Sequence, residues 1–454
     1  MRTAVVLFTR DLRIHDHPAL HTACARADRV VPLFVLDEVI LGGRYAAVNR
    51  VAALLEALHD LRSSLRDLGG DLVVRRGEPL TEVREVLLAT GADELHLSAD
   101  VSSYAGSRER DLHRLGGELG VRVTAHPGVV VVEPDRITPA SGDHFRVFTP
   151  YWRRWVEHDH RAPLPAPDRV TLPDDVEAGA IPDLGDLVDG VEAPQRLRTG
   201  ERRARERLRW WFAGPVAGYE EGRDELAEDL TSKLSPHLHL GCLSAAEVAS
   251  HVDRRRSGHE TFLQELCWRD FNHQLLAANP DLPRQDLRTQ GDRWRDDEEA
   301  VEAWREGRTG YPVVDAGMRQ LRTEGWMHNR ARMLTASFLT KHLHVDWRVG
   351  AWHFMDHLVD GDLANNFAQW QWVAGTGTDS RPNRVFNPVT QSRRYDREGR
   401  YIRRYVPELA GLDDRSVHAP WEAGEQLFAA ADYPPPLVDH REARERFLAA
   451  CGRS

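Results

Sequence analysis

The chain runs to 454 residues, more than one domain of ordinary size, and is 41% hydrophobic and 29% charged, a composition that can bury a sizeable core. No apolar run approaches the ~20 residues of a membrane span, and Cys24, Cys242, Cys267 and Cys451 show no CxxC spacing, which argues against a disulfide framework or a zinc site. The net charge of −11 argues against a uniformly basic surface but leaves room for local positive patches, which govern contact with phosphate.

Residues 1–8 are charged and then apolar, too short an apolar run for a secretory leader, and with the scattered cysteines a cytoplasmic protein is expected. Residues 4–8, 30–36, 71–75, 94–98 and 121–125 read as short Val/Leu-rich strands. Helical patterns at 46–68 and 80–90 lie between them, and this alternation predicts a Rossmann-like parallel α/β sheet. Thr9-Arg10-Asp11-Leu12-Arg13 stands where a dinucleotide fold would place GxGxxG, so that fingerprint is missing. The arginines there could hold an anion at the sheet edge, or simply form surface salt bridges.

After Gly128 the rhythm stops. Residues 129–200 are rich in Pro, Asp and Gly and read as a long connector over the surface. From about Glu201 the pattern is helical. The expected domains are therefore 1–128 (α/β), 129–200 (linker) and 201–454 (all-helical).

Within the helical part, Tyr219 precedes Thr231-Ser232-Lys233-Leu234-Ser235, whose hydroxyls would suit a phosphate but are, read alone, helix caps. Gln264-Glu265-Leu266-Cys267-Trp268-Arg269-Asp270-Phe271-Asn272 places Glu265, Trp268 and Asn272 on one helical face, where a carboxyl beside an indole could stack a ring and bond its edge. The competing reading is a Glu265–Arg269 ion pair over a core tryptophan. A second helix is expected over 326–343, with Trp326, Asn329, Arg330 and Met333 along one side and His328 and Arg332 on a neighbouring strip. Trp370 and Trp372 would point about 200° apart at ~100° per residue, so they cannot share one ligand face. Eight arginines between 381 and 404 face only Asp396 and Glu398. Carboxylates, amides and indoles in such close groups call for a large flat ligand beside a polyanion.

Trp326-Met327-His328-Asn329-Arg330, Asp360-Gly361-Asp362-Leu363-Ala364-Asn365-Asn366, Trp370-Gln371-Trp372 and Phe386-Asn387-Pro388 together resemble the FAD domain of the DNA photolyase/cryptochrome family. Gly310-Tyr311-Pro312-Val313-Val314-Asp315 and Tyr401-Ile402-Arg403-Arg404-Tyr405-Val406-Pro407 extend the resemblance, which covers nearly the whole chain and is nearest the class I cyclobutane pyrimidine dimer photolyases of an actinobacterial, deazaflavin-using type. It implies an antenna-chromophore domain, a linker and a helical domain that binds FAD and DNA. It further implies a monomeric lyase that repairs UV-damaged DNA under light, with reduced FAD (FADH⁻) donating an electron to the dimer.

Residue by residue, the resemblance assigns Tyr219, Thr231, Ser232, Lys233, Leu234 and Ser235 to the FAD phosphates and ribose. Gln264, Arg332, Asp360, Gly361 and Asp362 would hold the isoalloxazine, and Asn366 would sit at its N5. Glu265, Trp268, Arg269, Asn272, Asn329, Arg330, Met333, Trp372 and Gln391 would meet the lesion and DNA, with Glu265 stabilising charge on a pyrimidine carbonyl. Trp370, Trp347 and Trp294 match a three-tryptophan electron path. Phe34, Asp37, Asp100 and Arg110 would hold the antenna, 8-hydroxy-5-deazaflavin with a folate (MTHF) as the alternative. Three positions depart from the family pattern: Lys233 stands for an arginine, Phe367-Ala368-Gln369 replaces Asn-Gly-Gly, and His239 lies at an antenna position. The rival function is a cryptochrome-like blue-light photosensor without repair; the retained Glu265, Trp268, Asn329 and Met333 speak for repair.

Overall fold

A computed structural model describes residues 1–228, 230–289, 293–422 and 432–450. Cys451 lies outside them. The chain divides into two compact units. The first comprises Met1–Val191, Arg198–Glu220 and Ser232–Pro280; the second comprises Glu192–Leu197, Glu221–Thr231 and Asp281–Ser454.

The first unit is built on five parallel strands, β1 (Thr3–Phe8), β2 (Arg29–Asp37), β3 (Val73–Gly77), β4 (Glu94–Ser98) and β5 (Arg122–His126), in the order β3-β2-β1-β4-β5. β1 is buried along its whole length, which is why it carries apolar residues continuously and shows no alternation. Helices Pro18–Arg26, Val48–Asp67, Pro79–Thr90 and Ser103–Leu119 connect the strands. The core under this sheet is aliphatic, with Val5, Leu33, Val73, Val83, Leu95 and Leu112 fully buried. The strand order reverses between β1 and β4, the crevice where open α/β sheets bind ligands.

The connector is less featureless than its composition suggests. It buries Val129, Val130, Val131 and Val132 and contains the helix Phe148–Glu157. Asp270, on the helix Ser257–Ala278, accepts hydrogen bonds from the Val131 and Val132 amides at 2.9 and 3.0 Å and from the Trp155 indole at 2.9 Å. A buried carboxylate thus ties down the first part of the connector, through Val131, Val132 and Trp155, while most of 157–199 lies exposed or half-buried.

The second unit is helical. Its main helices are Glu298–Glu306, Pro312–Glu324, Asn329–Ser337, Trp347–His357, Leu363–Ala374, Pro388–Tyr395, Arg400–Tyr405 and His440–Ala450. Asp315, fully buried, holds the turn before Pro312–Glu324 by accepting from the Thr309 and Gly310 amides and from the Tyr433 hydroxyl. The helix expected over 326–343 begins only at Asn329, because the His328 side chain accepts from the Arg330 amide as its N-cap. Trp326 therefore precedes the helix, and the segment Phe338–His342 is a π turn. Among the described residues no helix is long and apolar enough to cross a membrane.

Candidate functional site

In the first unit, Arg10 follows β1 and Asp100 follows β4. The Arg10 guanidinium donates to Asp100 at 3.3 Å and to the His239 carbonyl at 3.3 Å, at the point where the strand order reverses. Arg13, by contrast, is 1% exposed and donates to the carbonyls of Asp16, Gly128 and Gly241. It is a structural clamp, not an anion holder. Asp37 ends β2, caps the turn Glu38–Leu41 and accepts the Tyr104 hydroxyl. Of the two rings at this edge, Phe34 is 7% exposed and Tyr104 is 39% exposed, with the Arg108 guanidinium 5.8 Å from its centre. Arg110 is exposed on the same helix as Tyr104.

Tyr219 packs edge-on against Trp211 and Phe262, with centroids 5.4 and 5.7 Å away. The Ser232 carbonyl accepts from Arg207 at 2.8 Å, and the Ser232 hydroxyl accepts from the Leu234 amide at 3.4 Å. Lys233 has φ +49°, a left-handed conformation that a residue with a Cβ rarely adopts. The cap position of Ser235–Leu240 falls on the buried Leu234, with no side-chain cap bond.

On Ser257–Ala278, Gln264, Glu265 and Trp268 are half-buried, whereas Arg269 and Asn272 are 9% and 2% exposed. Arg269 donates to the Val129 carbonyl at 2.7 Å. The shared open face expected for Glu265, Trp268 and Asn272 thus fails at Asn272, because this helix is buried around most of its circumference. Phe148 lies parallel on the Trp268 indole at a centroid distance of 3.7 Å. The sequence reading missed it; the signal was the Phe148, Tyr151, Trp155 spacing inside the expected coil.

In the second unit, Arg332 grips Asp360 through one guanidinium nitrogen at 2.8 and 3.1 Å and donates to the Met327 carbonyl at 2.8 Å. Asp362, after the buried Gly361, caps Leu363–Ala374 and accepts from the Asn365 amide and side chain. The Asn366 side-chain nitrogen donates to the Ala351 carbonyl at 2.9 Å. A carbonyl can only accept, so this bond fixes the Asn366 amide with its oxygen free to accept from elsewhere. Thr231 is half-buried at the end of its stretch of this unit. Asn329 is exposed and Met333, Trp372 and Gln391 are half-buried. Arg330 is engaged with Asp224 at 2.7 Å and lies 4.5 Å from the Tyr395 ring centre.

Trp370 is 3% exposed and meets Phe354 and Trp304 edge-on at 4.9 and 6.1 Å. Trp347 is fully buried, and its indole N–H donates to Asp286 at 2.9 Å. Trp294 is only half-buried, edge-on to His344 at 5.4 Å. Phe367, one of the departures from the family pattern, is fully buried between Trp347 and Trp352 at 6.3 and 5.0 Å. It fills space beside the tryptophans.

The arginine run is partly self-compensated. Arg393, Arg400, Arg403 and Arg404 pair with Glu422, Glu228, Asp414 and Glu324, and Arg384 lies 5.4 Å from the Trp372 ring centre. Asp396 is 2% exposed, spent on the Tyr401 and Ile402 amides, so it does not offset the surface charge.

Within the second unit, the fixed Arg332–Asp360 pair and the anchored Asn366 amide are a donor and acceptor set that suits the polar edge of a flavin. The known proteins agree. Residues 4–168 match the family model described as DNA photolyase, and residues 262–453 match the FAD binding domain of DNA photolyase. The chain is 51% identical over 456 residues to the deoxyribodipyrimidine photo-lyase of Streptomyces griseus, covering 100% of both. It is similar to the crystal structure of a bacterial class III photolyase from Agrobacterium tumefaciens at 37% identity and TM-score 0.94, covering 100% of this chain and 97% of that one. It is also similar to an archaeal photolyase from Sulfolobus tokodaii solved with two FAD molecules, at 30% identity and TM-score 0.87, covering 99% of each. With a relative this similar over its full length, the chain belongs to the DNA photolyase/cryptochrome family.

Proposed function

We propose that this protein is a light-dependent lyase that splits cyclobutane pyrimidine dimers in UV-damaged DNA, acting as a monomer in the bacterial cytoplasm. The proposed organisation is an antenna domain at 1–128, a linker at 129–200 and the FAD- and DNA-binding domain at 201–454. Reduced FAD, when bound, supplies the photoexcited electron that opens the cyclobutane ring and takes it back afterwards.

The chain's own residues position and protect that chemistry. The observation that carries the reading is the Asn366 amide, whose nitrogen is spent on the Ala351 carbonyl so that its oxygen is the group left to accept. If Asn366 lies at flavin N5, that oxygen would accept from N5–H and favour the reduced ring. Arg332, held by Asp360, presents a fixed positive charge to the polar edge, with Gln264, Gly361 and Asp362 completing the contacts. Tyr219, Thr231, Ser232, Lys233, Leu234 and Ser235 take the phosphates and ribose. The dimer must leave the base stack to be reached, a step for which base-flipping enzymes, photolyases among them, are the general case. Trp268 and Trp372 stack on the extruded bases, Glu265 bonds a pyrimidine carbonyl, and Asn329, Met333 and Gln391 line the pocket. Trp370, Trp347 and Trp294 carry electrons inward when the flavin is oxidised.

Photorepair of dimer-containing DNA, compared in light and dark, tests the activity; light-induced partner binding without repair would favour the photosensor alternative. Within the family we place the chain with the class I dimer photolyases, and its likeness to an Agrobacterium class III enzyme makes class III the competing placement. For the antenna we propose 8-hydroxy-5-deazaflavin, with a folate (MTHF) as the alternative, held by Phe34, Asp37, Asp100 and Arg110. The Sulfolobus protein, solved with two FAD molecules, is consistent with a second chromophore in this family. Phe34→Ala should remove deazaflavin absorbance while FAD stays bound; a folate spectrum from the native protein would overturn the deazaflavin assignment alone.

A further inference from the structure

The helix Phe148–Glu157 begins at a ring that reaches Trp268. The Phe148 ring and the Trp268 indole are stacked, 3.7 Å between centroids and 4° from parallel. Phe271 stands edge-on to both, at 5.5 Å and 90° from Trp268 and at 5.8 Å and 88° from Phe148. Three rings thus fix one another's orientation. The segment that delivers Phe148 is tied to the helix that carries Trp268. Gln274 accepts from the Phe145 amide at 2.9 Å and donates to its carbonyl at 2.7 Å, and Asp270 accepts from the Trp155 indole. Both ends of the short stretch around Phe148 are therefore anchored to Ser257–Ala278.

We propose that Phe148 is a positioning residue for lesion recognition. It covers one face of Trp268 and sets the plane of the indole, leaving the opposite face for an extruded base. This rests on the reading of Trp268 as the stacking surface. An indole already held in its binding orientation does not have to be ordered when the lesion arrives, so removing the Phe148 ring weakens lesion binding without touching the lesion itself.

The test compares affinities for dimer-containing and undamaged duplexes in FAD-loaded protein. The variants are Phe148→Leu, Phe148→Tyr, Trp268→Ala and the double variant Phe148→Leu/Trp268→Ala, each checked for flavin content and melting temperature. Leucine keeps the apolar volume and loses the plane. Phe148→Leu should weaken binding of dimer DNA by roughly 2- to 12-fold, the worth of one aromatic pair, and leave undamaged DNA unchanged. Phe148→Tyr should recover most of that loss. In the Trp268→Ala background Phe148→Leu should lose nothing further, because its effect passes through the indole. Equal weakening of both DNAs, a lower melting temperature with discrimination intact, or an undiminished Phe148→Leu loss in the Trp268→Ala background would overturn the proposal while leaving the Trp268 reading in place. Full discrimination by Trp268→Ala would overturn both.

Discussion

Gly350 sits against Trp370 so closely that a single added methyl tests the electron path. A Cβ there would lie 2.1 Å from Cη2 and 2.5 Å from Cζ3 of Trp370, and 2.6 Å from Cδ2 of Leu339. Ordinary carbon contacts begin near ~3.5 Å, so the indole must retreat by more than about 1 Å. It has little room: Leu339 is 0%, Phe354 2% and Trp370 3% exposed. Overpacking of this kind costs about 1–3 kcal/mol, offset by the roughly 0.5–1 kcal/mol that alanine gains over glycine inside a helix. Gly350→Ala should therefore destabilise by roughly 0.5–2 kcal/mol in denaturant melts of the holoprotein. It should also slow light-driven reduction of oxidised flavin, because the displaced ring is the one proposed to stand first in the electron path. Phenylalanine lacks Cη2 and Cζ3, so the destabilisation should shrink in a Trp370→Phe background, although Leu339 still clashes. Full stability of Gly350→Ala, or strictly additive losses in the double variant, would refute the claim that Gly350 seats this indole.

Trp370→Phe should block photoreduction of oxidised FAD while chemically reduced enzyme still repairs, because a phenyl ring is much harder to oxidise than an indole; flash photolysis reads the first and a repair assay the second. Arg381→Ala with Arg397→Ala should weaken damaged and undamaged DNA alike and reduce the salt slope by up to about 2, roughly one unit for each phosphate no longer neutralised, whereas Arg404→Ala, whose guanidinium already meets Glu324, should change the slope less. Burial, aided by Asp270, Asp135 and Asp100, pushes the Glu133 carboxyl from 4.5 up to about 7. The folded chain then holds a proton the unfolded chain releases, so this group's contribution is full below about pH 4.5 and is lost as pH rises to about 7, roughly 3 kcal/mol in all. Glu133→Gln should accordingly melt higher than wild type at pH 8 and show little gain at pH 5; a gain independent of pH would mean the carboxyl is not perturbed.

The sheet was legible because buried parallel strands are written as continuous apolar runs, and 94–98 coincides with β4 residue for residue. The connector was not, since its order comes from Asp270, a distant residue whose partners are backbone amides of the connector. Local pattern likewise could not show that Asn272 and Arg269 turn inward, because a helix buried on nearly all sides offers no polar stripe to read. His328 looked helical by spacing, yet its ring caps the helix it was expected to join. The tryptophan and Asp360–Asn366 motifs were legible as chemistry, but the Asn366 orientation depends on the Ala351 carbonyl, which carries no side-chain signature.

The central claim is light-driven dimer splitting, and the most direct measurement is thymine absorbance recovered from dimer-containing DNA by the purified, flavin-reduced protein under blue light, with a dark control. Recovery should need both light and reduced flavin and should fall when Glu265 is replaced by alanine. No recovery in light with FAD fully bound and reduced, or equal recovery in darkness, would contradict it.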